Sequence, residues 1–129
     1  MVKIRREIKN WWKQAQADFT SAEHLLQTGD YYFSVFACHQ AVEKGLKALV
    51  LLRLRKISTG HSLIYLAQLL KVPNEIFKIT QNLNAEYITT RYPDVADAAP
   101  VDIYNKDIAK EHLDGTKRII EWLKIQIEK

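Results

Sequence analysis

One cysteine, Cys38, stands in the whole sequence, so no disulfide can close within the chain. Glycine (4) and proline (3) are scarce in 129 residues, and alternating β-branched runs are few. The strand and turn signals of a β protein are therefore largely missing, and helix is the expected state. The longest apolar run, Ala48-Leu49-Val50-Leu51-Leu52, falls far short of the ~20 residues that span a bilayer. Met1-Val2-Lys3-Ile4-Arg5-Arg6 lacks the apolar stretch of a signal peptide. A soluble protein of the reducing cytoplasm, away from membranes, is expected. His24, His39, His61 and His112 lie far apart, without a His-x-x-x-His or Cys-x-x-Cys pair, so no metal site is expected. Glycine-rich phosphate loops and a Gly-x-Ser-x-Gly elbow are absent, which leaves no cofactor to expect.

What is present is an ordinary globular balance, 47% hydrophobic and 26% charged, enough for one domain spanning 1–129. The net charge of +4 points toward an anionic partner. Ile4, Ile8, Trp11, Trp12, Ala15, Phe19, Ala22, Leu25 and Leu26 recur at helical spacing and predict a first amphipathic helix. Gly29 is placed to stop it and Asp30 to cap the next, which runs from about Tyr31 to Arg53. So short a turn implies an antiparallel pair. After Ile57-Ser58-Thr59-Gly60, either Ser62 or Thr59 caps a short helix through Leu70. Pro73 opens a fourth helix that lasts until Tyr92, held out of helical geometry by Pro93. Asp94 to Tyr104 reads as a loop, and Asn105 or Asp107 caps a last helix ending near Ile127. The fold class is all-α: an up-and-down antiparallel bundle of four main helices and one short one.

Several residues carry chemistry. Asp94, Asp97 and Asp102 share a loop, where isolated carboxylates serve mainly to keep it solvated. Trp11 and Trp12 suit core packing better than base stacking. Gln40, Glu43, Lys44 and Lys47 cluster on an otherwise apolar helix; a surface Glu43–Lys47 pair is slightly favoured over a buried polar cluster with His61. Arg91, where a helix gives way to a long loop, suits either a phosphate or carboxylate clamp or a helix-end ion pair.

Taken together, the motifs resemble the HEPN domain family. The match lies in Trp12, Ala15, Asp18 and Ala22; in Tyr31-Tyr32-Phe33; in Cys38-His39-Gln40-Ala41-Val42-Glu43-Lys44-Gly45-Leu46-Lys47-Ala48; in Gly60-His61-Ser62-Leu63; and in Leu83-Asn84-Ala85-Glu86-Tyr87-Ile88-Thr89-Thr90-Arg91-Tyr92-Pro93. It covers nearly the whole chain. The resemblance implies a homodimer, frequent partnership with a small MNT-type nucleotidyltransferase, and a toxin–antitoxin setting. Active toxins of the family are metal-independent ribonucleases with an Arg followed four to six residues later by His. Here Arg91 is followed at those positions by Val95, Ala96, Asp97 and Ala98, none of which exchanges protons as an imidazole does. The expectation is a non-catalytic, nucleotide-binding or substrate-presenting partner of a nucleotidyltransferase, with Arg91, Tyr92, His61 and Lys44 as ligand-binding residues. The ranked alternatives are a ribonuclease that uses Arg91 with a His brought in from elsewhere, then a ligand-free homo-oligomeric scaffold.

Overall fold

The computed structural model describes residues 2–129 and places them in seven helical segments. These are α1 (Val2–Thr28), α2 (Tyr31–Leu54), α3 (Leu63–Leu70), α4 (Asn74–Asn84), α5 (Glu86–Thr89), α6 (Pro100–Ile103) and α7 (Lys106–Glu128). Four main helices, α1, α2, α4 and α7, form the bundle, and α3 is the short extra one. The expected fourth helix is interrupted at Ala85, and the expected loop from Asp94 to Tyr104 contains the single turn α6. Among the described residues there is no strand.

The turn between α1 and α2 forms as its sequence requires. Gly29 takes φ +83, and the amides of Gly29 and Asp30 return to the carbonyls of Leu26 (3.3 Å) and Leu25 (2.9 Å). This is the six-to-one closure that a left-handed residue permits. Asp30 does not cap α2 with its side chain, contrary to expectation. Its carboxylate accepts the Thr28 hydroxyl at 2.8 Å, and only its carbonyl joins the helix, accepting Ser34 N–H at 2.9 Å. Ser62 caps α3 through Tyr65 N–H, and Asn105 caps α7 through Ile108 N–H. Asn84 reaches from the end of α4 to accept Leu63 N–H at 2.8 Å, tying that break to the start of α3.

α2 is the axis of the molecule. Fourteen of its 24 residues are buried, so it is apolar on nearly every side, and the other helices gather round it. α1 runs antiparallel to it. α7 runs parallel to it, since a Cβ on Gly45 would point at Leu123 and Arg53 Nη2 donates to Gln126 near the ends of both helices, at 2.6 Å. α4 lies antiparallel to α7, with Glu75 paired to Arg118 and Ile79 against Gly115. Trp12 and Leu123 are buried in one continuous core with Leu46, Leu49, Leu66 and Ile119. Trp12 also donates its indole N–H to Glu128 at 2.7 Å, whereas Trp11 stays at the core's margin.

Gly45 lets α1, α2 and α7 meet closely. A Cβ there would stand 2.6 Å from Leu123 Cδ1 and 3.7 Å from both Ala15 and Trp12. Gly45→Val is expected to lower unfolding free energy by about 2–3 kcal/mol through overpacking. Chemical denaturation checks this, and Leu123→Ala added to Gly45→Val should cost less than the two separate losses combined.

Candidate functional site

The polar side chains of α2 are not a surface pair. Glu43 and Lys47 are both buried, and Lys47 Nζ donates to Glu43 Oε2 at 3.0 Å while lying 5.5 Å from the centroid of the Trp11 ring. Glu43 Oε1 faces His61 Nδ1 at 3.0 Å, so the slightly favoured surface reading is replaced by a buried cluster. The reason lies in packing: α2 is surrounded, and its i,i+4 polar stripe is covered by α1 and by the segment leading into α3. A carboxylate removed from water needs several partners, and Lys47 and His61 supply them. A carboxylate oxygen can only accept, so His61 Nδ1 is the donor in this contact. The His61 side chain is 50% exposed, so the far edge of its ring reaches solvent.

His39, one turn before Glu43, is fully buried. Its Nδ1 lies 3.8 Å from Glu43 Oε1, too far for a hydrogen bond, and neither ring nitrogen has a partner among the described residues. Burial holds its pKa down at about 4, against the pull of Glu43 and with help from the positive potential of His61 and Lys47. Cys38 beside it is equally buried, and its thiol is pushed up to about 12, so it stays protonated and unreactive.

Tyr87 of α5 connects this cluster to the surface. His61 stacks on its ring with centroids 4.2 Å apart and 14° between planes, and His39 lies at 5.4 Å. Arg91 holds its guanidinium 4.9 Å from the Tyr87 centroid, 5.5 Å from Phe36 and 5.3 Å from Tyr92. Arg91 thus rests on an aromatic shelf, and among the described residues no carboxylate pairs with it. The helix-end ion pair is not formed. A cleft of ≈ 460 Å³ opens beside the guanidinium, lined by Tyr32, Phe33, Phe36, Thr90 and Arg91. Its Tyr32 and Phe33 rings are themselves stacked, 5.6 Å apart.

Of the four residues expected to bind ligand, Arg91 and His61 contact Tyr87, and Tyr92 contacts Arg91. Lys44 does not join them. It donates to Asp18 at 2.6 Å in a neighbouring cleft that shares only the walls Phe33 and Phe36 with the first. His112 is likewise elsewhere, with Nε2 3.9 Å from a Glu86 carboxylate that also accepts the Tyr104 hydroxyl. Burial and that carboxylate raise the Tyr104 pKa, so the phenol remains a donor and fastens the end of the long loop to α5. Phe33, Phe36 and Tyr87 belong to the shelf, although their spacing in sequence points to helix packing; the signal for the shelf is an aromatic run, Tyr31-Tyr32-Phe33, followed one turn later by Phe36. Among the described residues no group of three His, Cys, Asp or Glu side chains is arranged to hold a metal ion.

An antiparallel helical bundle with a cation seated on an aromatic shelf belongs to the class of small all-α bundle proteins. The chain belongs to the HEPN domain family, whose model matches residues 8–126. It is 30% identical over 126 residues to a protein of Methanocaldococcus jannaschii named "Putative toxin MJ1304", covering 87% of this chain and 82% of that one. The crystal structure of TT1696 from Thermus thermophilus superposes with a TM-score of 0.85 at 32% identity, over 92% of this chain and 97% of the other. That of ST0689, described as an archaeal HEPN homologue, gives 0.81 at 32% identity, over 93% and 97%.

The buried neutral His39 sets a pH dependence. Its folded pKa lies below its unfolded value of 6.5, so below pH 6.5 the unfolded chain takes up a proton that the folded chain refuses. Stability is expected to be insensitive to this group above pH 6.5 and to fall between pH 6.5 and about 4, by up to about 3 kcal/mol. Denaturation midpoints measured across that range check it, and His39→Leu should flatten the fall.

Proposed function

We propose that this HEPN chain is a non-catalytic nucleotide-binding module, in which the Arg91 guanidinium holds phosphate and the aromatic cleft takes the base. The observation that carries the reading is the seating of Arg91. Its guanidinium is oriented by Tyr87, Phe36 and Tyr92 and has no carboxylate to neutralise it among the described residues. A guanidinium stacked on rings keeps its in-plane donors available to a phosphate, a geometry that a lysine cannot offer. Phe33, 49% exposed beside the cleft, provides a face for a base. His61 and Tyr92 flank the shelf, and Lys44, engaged with Asp18, contributes through the adjoining cleft. The whole chain, 1–129, works as one such domain in the cytoplasm, as a homodimer that presents its nucleotide to an MNT-type nucleotidyltransferase in a toxin–antitoxin-like pair.

Calorimetry with ATP, GTP and short RNA tests the core of this reading. Arg91→Ala is expected to weaken binding by about 1–3 kcal/mol, the scale of lost charge-assisted hydrogen bonds, with little change in melting temperature. No heat of binding to the parent protein would end the proposal.

A second reading has an observation of its own. Glu43 orients His61, and His61 and Arg91 contact the same Tyr87 ring, so a half-exposed imidazole and the cation share one platform without the usual spacing in sequence. Such a pair is equipped to move a 2′-hydroxyl proton and stabilise phosphate charge. Under the non-catalytic reading, single-stranded RNA incubated with the purified chain stays intact. Cleavage that is lost in both Arg91→Ala and His61→Ala would establish the ribonuclease instead.

A further inference from the structure

The basic residues of this chain are unevenly distributed. Lys3, Arg5, Arg6, Lys9 and Lys13 crowd the first half of α1, where Glu7 is the only acid between Lys3 and Lys13. All five are exposed. α1 and α2 are antiparallel, so this half lies beside the C-terminal end of α2, which is followed by Arg55 and Lys56, both also exposed. Among the described residues, none of these seven cations forms an ion pair. The net charge of the entire chain is only +4, so this end carries more positive charge than the molecule as a whole.

Helix stability does not account for the arrangement. Arg55 and Lys56 lie where the dipole of α2 favours cations, but the first turn of α1 has no acidic residue and its cations oppose the helix dipole. A face meant only for solubility would mix both signs, as Lys110 and Asp114 do on α7 with an i,i+4 pair at 3.1 Å. On α1, steps of three and four residues from Arg5 and Arg6 through Lys9 to Lys13 set the cations in a row along the outer face. Neighbours at such steps are about 5–6 Å apart, so the cations make one continuous charged row that a polyanionic strand can follow.

We infer that this end of the bundle docks the phosphate backbone of a polynucleotide, at a surface separate from the Arg91 cleft. From Phe36 to Arg53 along α2 is about 25 Å at 1.5 Å per residue, so the two sites do not overlap. A lipid surface fits the outer row on α1 less well, because that row has no large exposed apolar residue to insert between headgroups; Leu54 and Ile57 are exposed only at the edge, beside Arg55 and Lys56. The docking is read from charge and spacing alone, and its contacts go to phosphate without regard to base.

The experiment is fluorescence anisotropy of a labelled poly-U RNA of about 20 nucleotides, titrated with the full chain from about 50 to 200 mM KCl. The expected result is binding that weakens steeply with salt, and an Arg5→Glu/Arg6→Glu/Lys9→Glu variant bound at least about ten-fold more weakly, with a salt slope reduced by about 2–3. Circular dichroism of this variant reports whether it folds; Lys9→Gln with Lys13→Gln, two exposed sites, offers a milder version that should lose about three- to ten-fold. Equal RNA binding by the parent and the folded α1 variants overturns the inference, as does no binding of RNA at all; charge-dependent binding to phosphatidylserine vesicles in its place would assign the surface to lipid. Calorimetry with ATP and GTP on the α1 variants separates this result from the nucleotide reading, which stands or falls with Arg91.

Discussion

The buried Glu43 carboxylate is the interaction on which the rest of the molecule depends. It occupies the middle of the most enclosed helix and accepts from Lys47 of its own helix and from His61 of the segment entering α3. Without those partners an anion in this position would cost several kcal/mol. With them, it ties the α2–α3 connection to the middle of α2 through His61. His61 in turn provides the ring on which Tyr87 stacks, and Tyr87 provides a face for Arg91. A core charge and a surface cation are thus linked through two aromatic contacts.

The cluster is also asymmetric in its satisfaction. Glu43 has its full set of neighbours, while His39 beside it has two nitrogens and no partner among the described residues. An orphaned imidazole is tolerated when it remains neutral, and burial keeps it so despite Glu43 nearby. Part of the core's stability therefore rests on a group that must stay unprotonated, beside a carboxylate that Lys47 and His61 already engage.

Much of this was legible in the sequence. Apolar spacing marked the helices, Gly29 marked the first turn, the caps of α3 and α7 were each narrowed to two candidates of which Ser62 and Asn105 serve, and the order of motifs from Trp12 to Pro93 indicated the family. What spacing cannot show is depth. The i,i+4 step from Glu43 to Lys47 reads the same on a surface helix as on a buried one, and only the packing of α1 and the α3 approach distinguishes them. The same limit explains Lys44, whose charge suits a phosphate but whose helical phase turns it toward Asp18 on α1. It explains Asp30 as well, since a side-chain cap depends on backbone angles that Thr28 and the turn settled differently. The proximity of His61 to Arg91 arises from stacking on Tyr87 across 30 residues of chain, a contact for which no local pattern exists.

The enclosure of α2 has a further consequence, for the order in which the molecule comes apart. Its neighbours lie between it and solvent, so its amides can meet water only when several of them leave together. The stretch from Tyr92 to Ala99 has the opposite character: it is largely exposed and fastened mainly where Tyr104 meets Glu86. Hydrogen exchange should then divide the chain into two regimes, with α2 protected up to the full unfolding energy and the Arg91 loop opening at a fraction of it. The aromatic shelf lies along the seam between them, one side fixed by the core and the other free to adjust to whatever it receives.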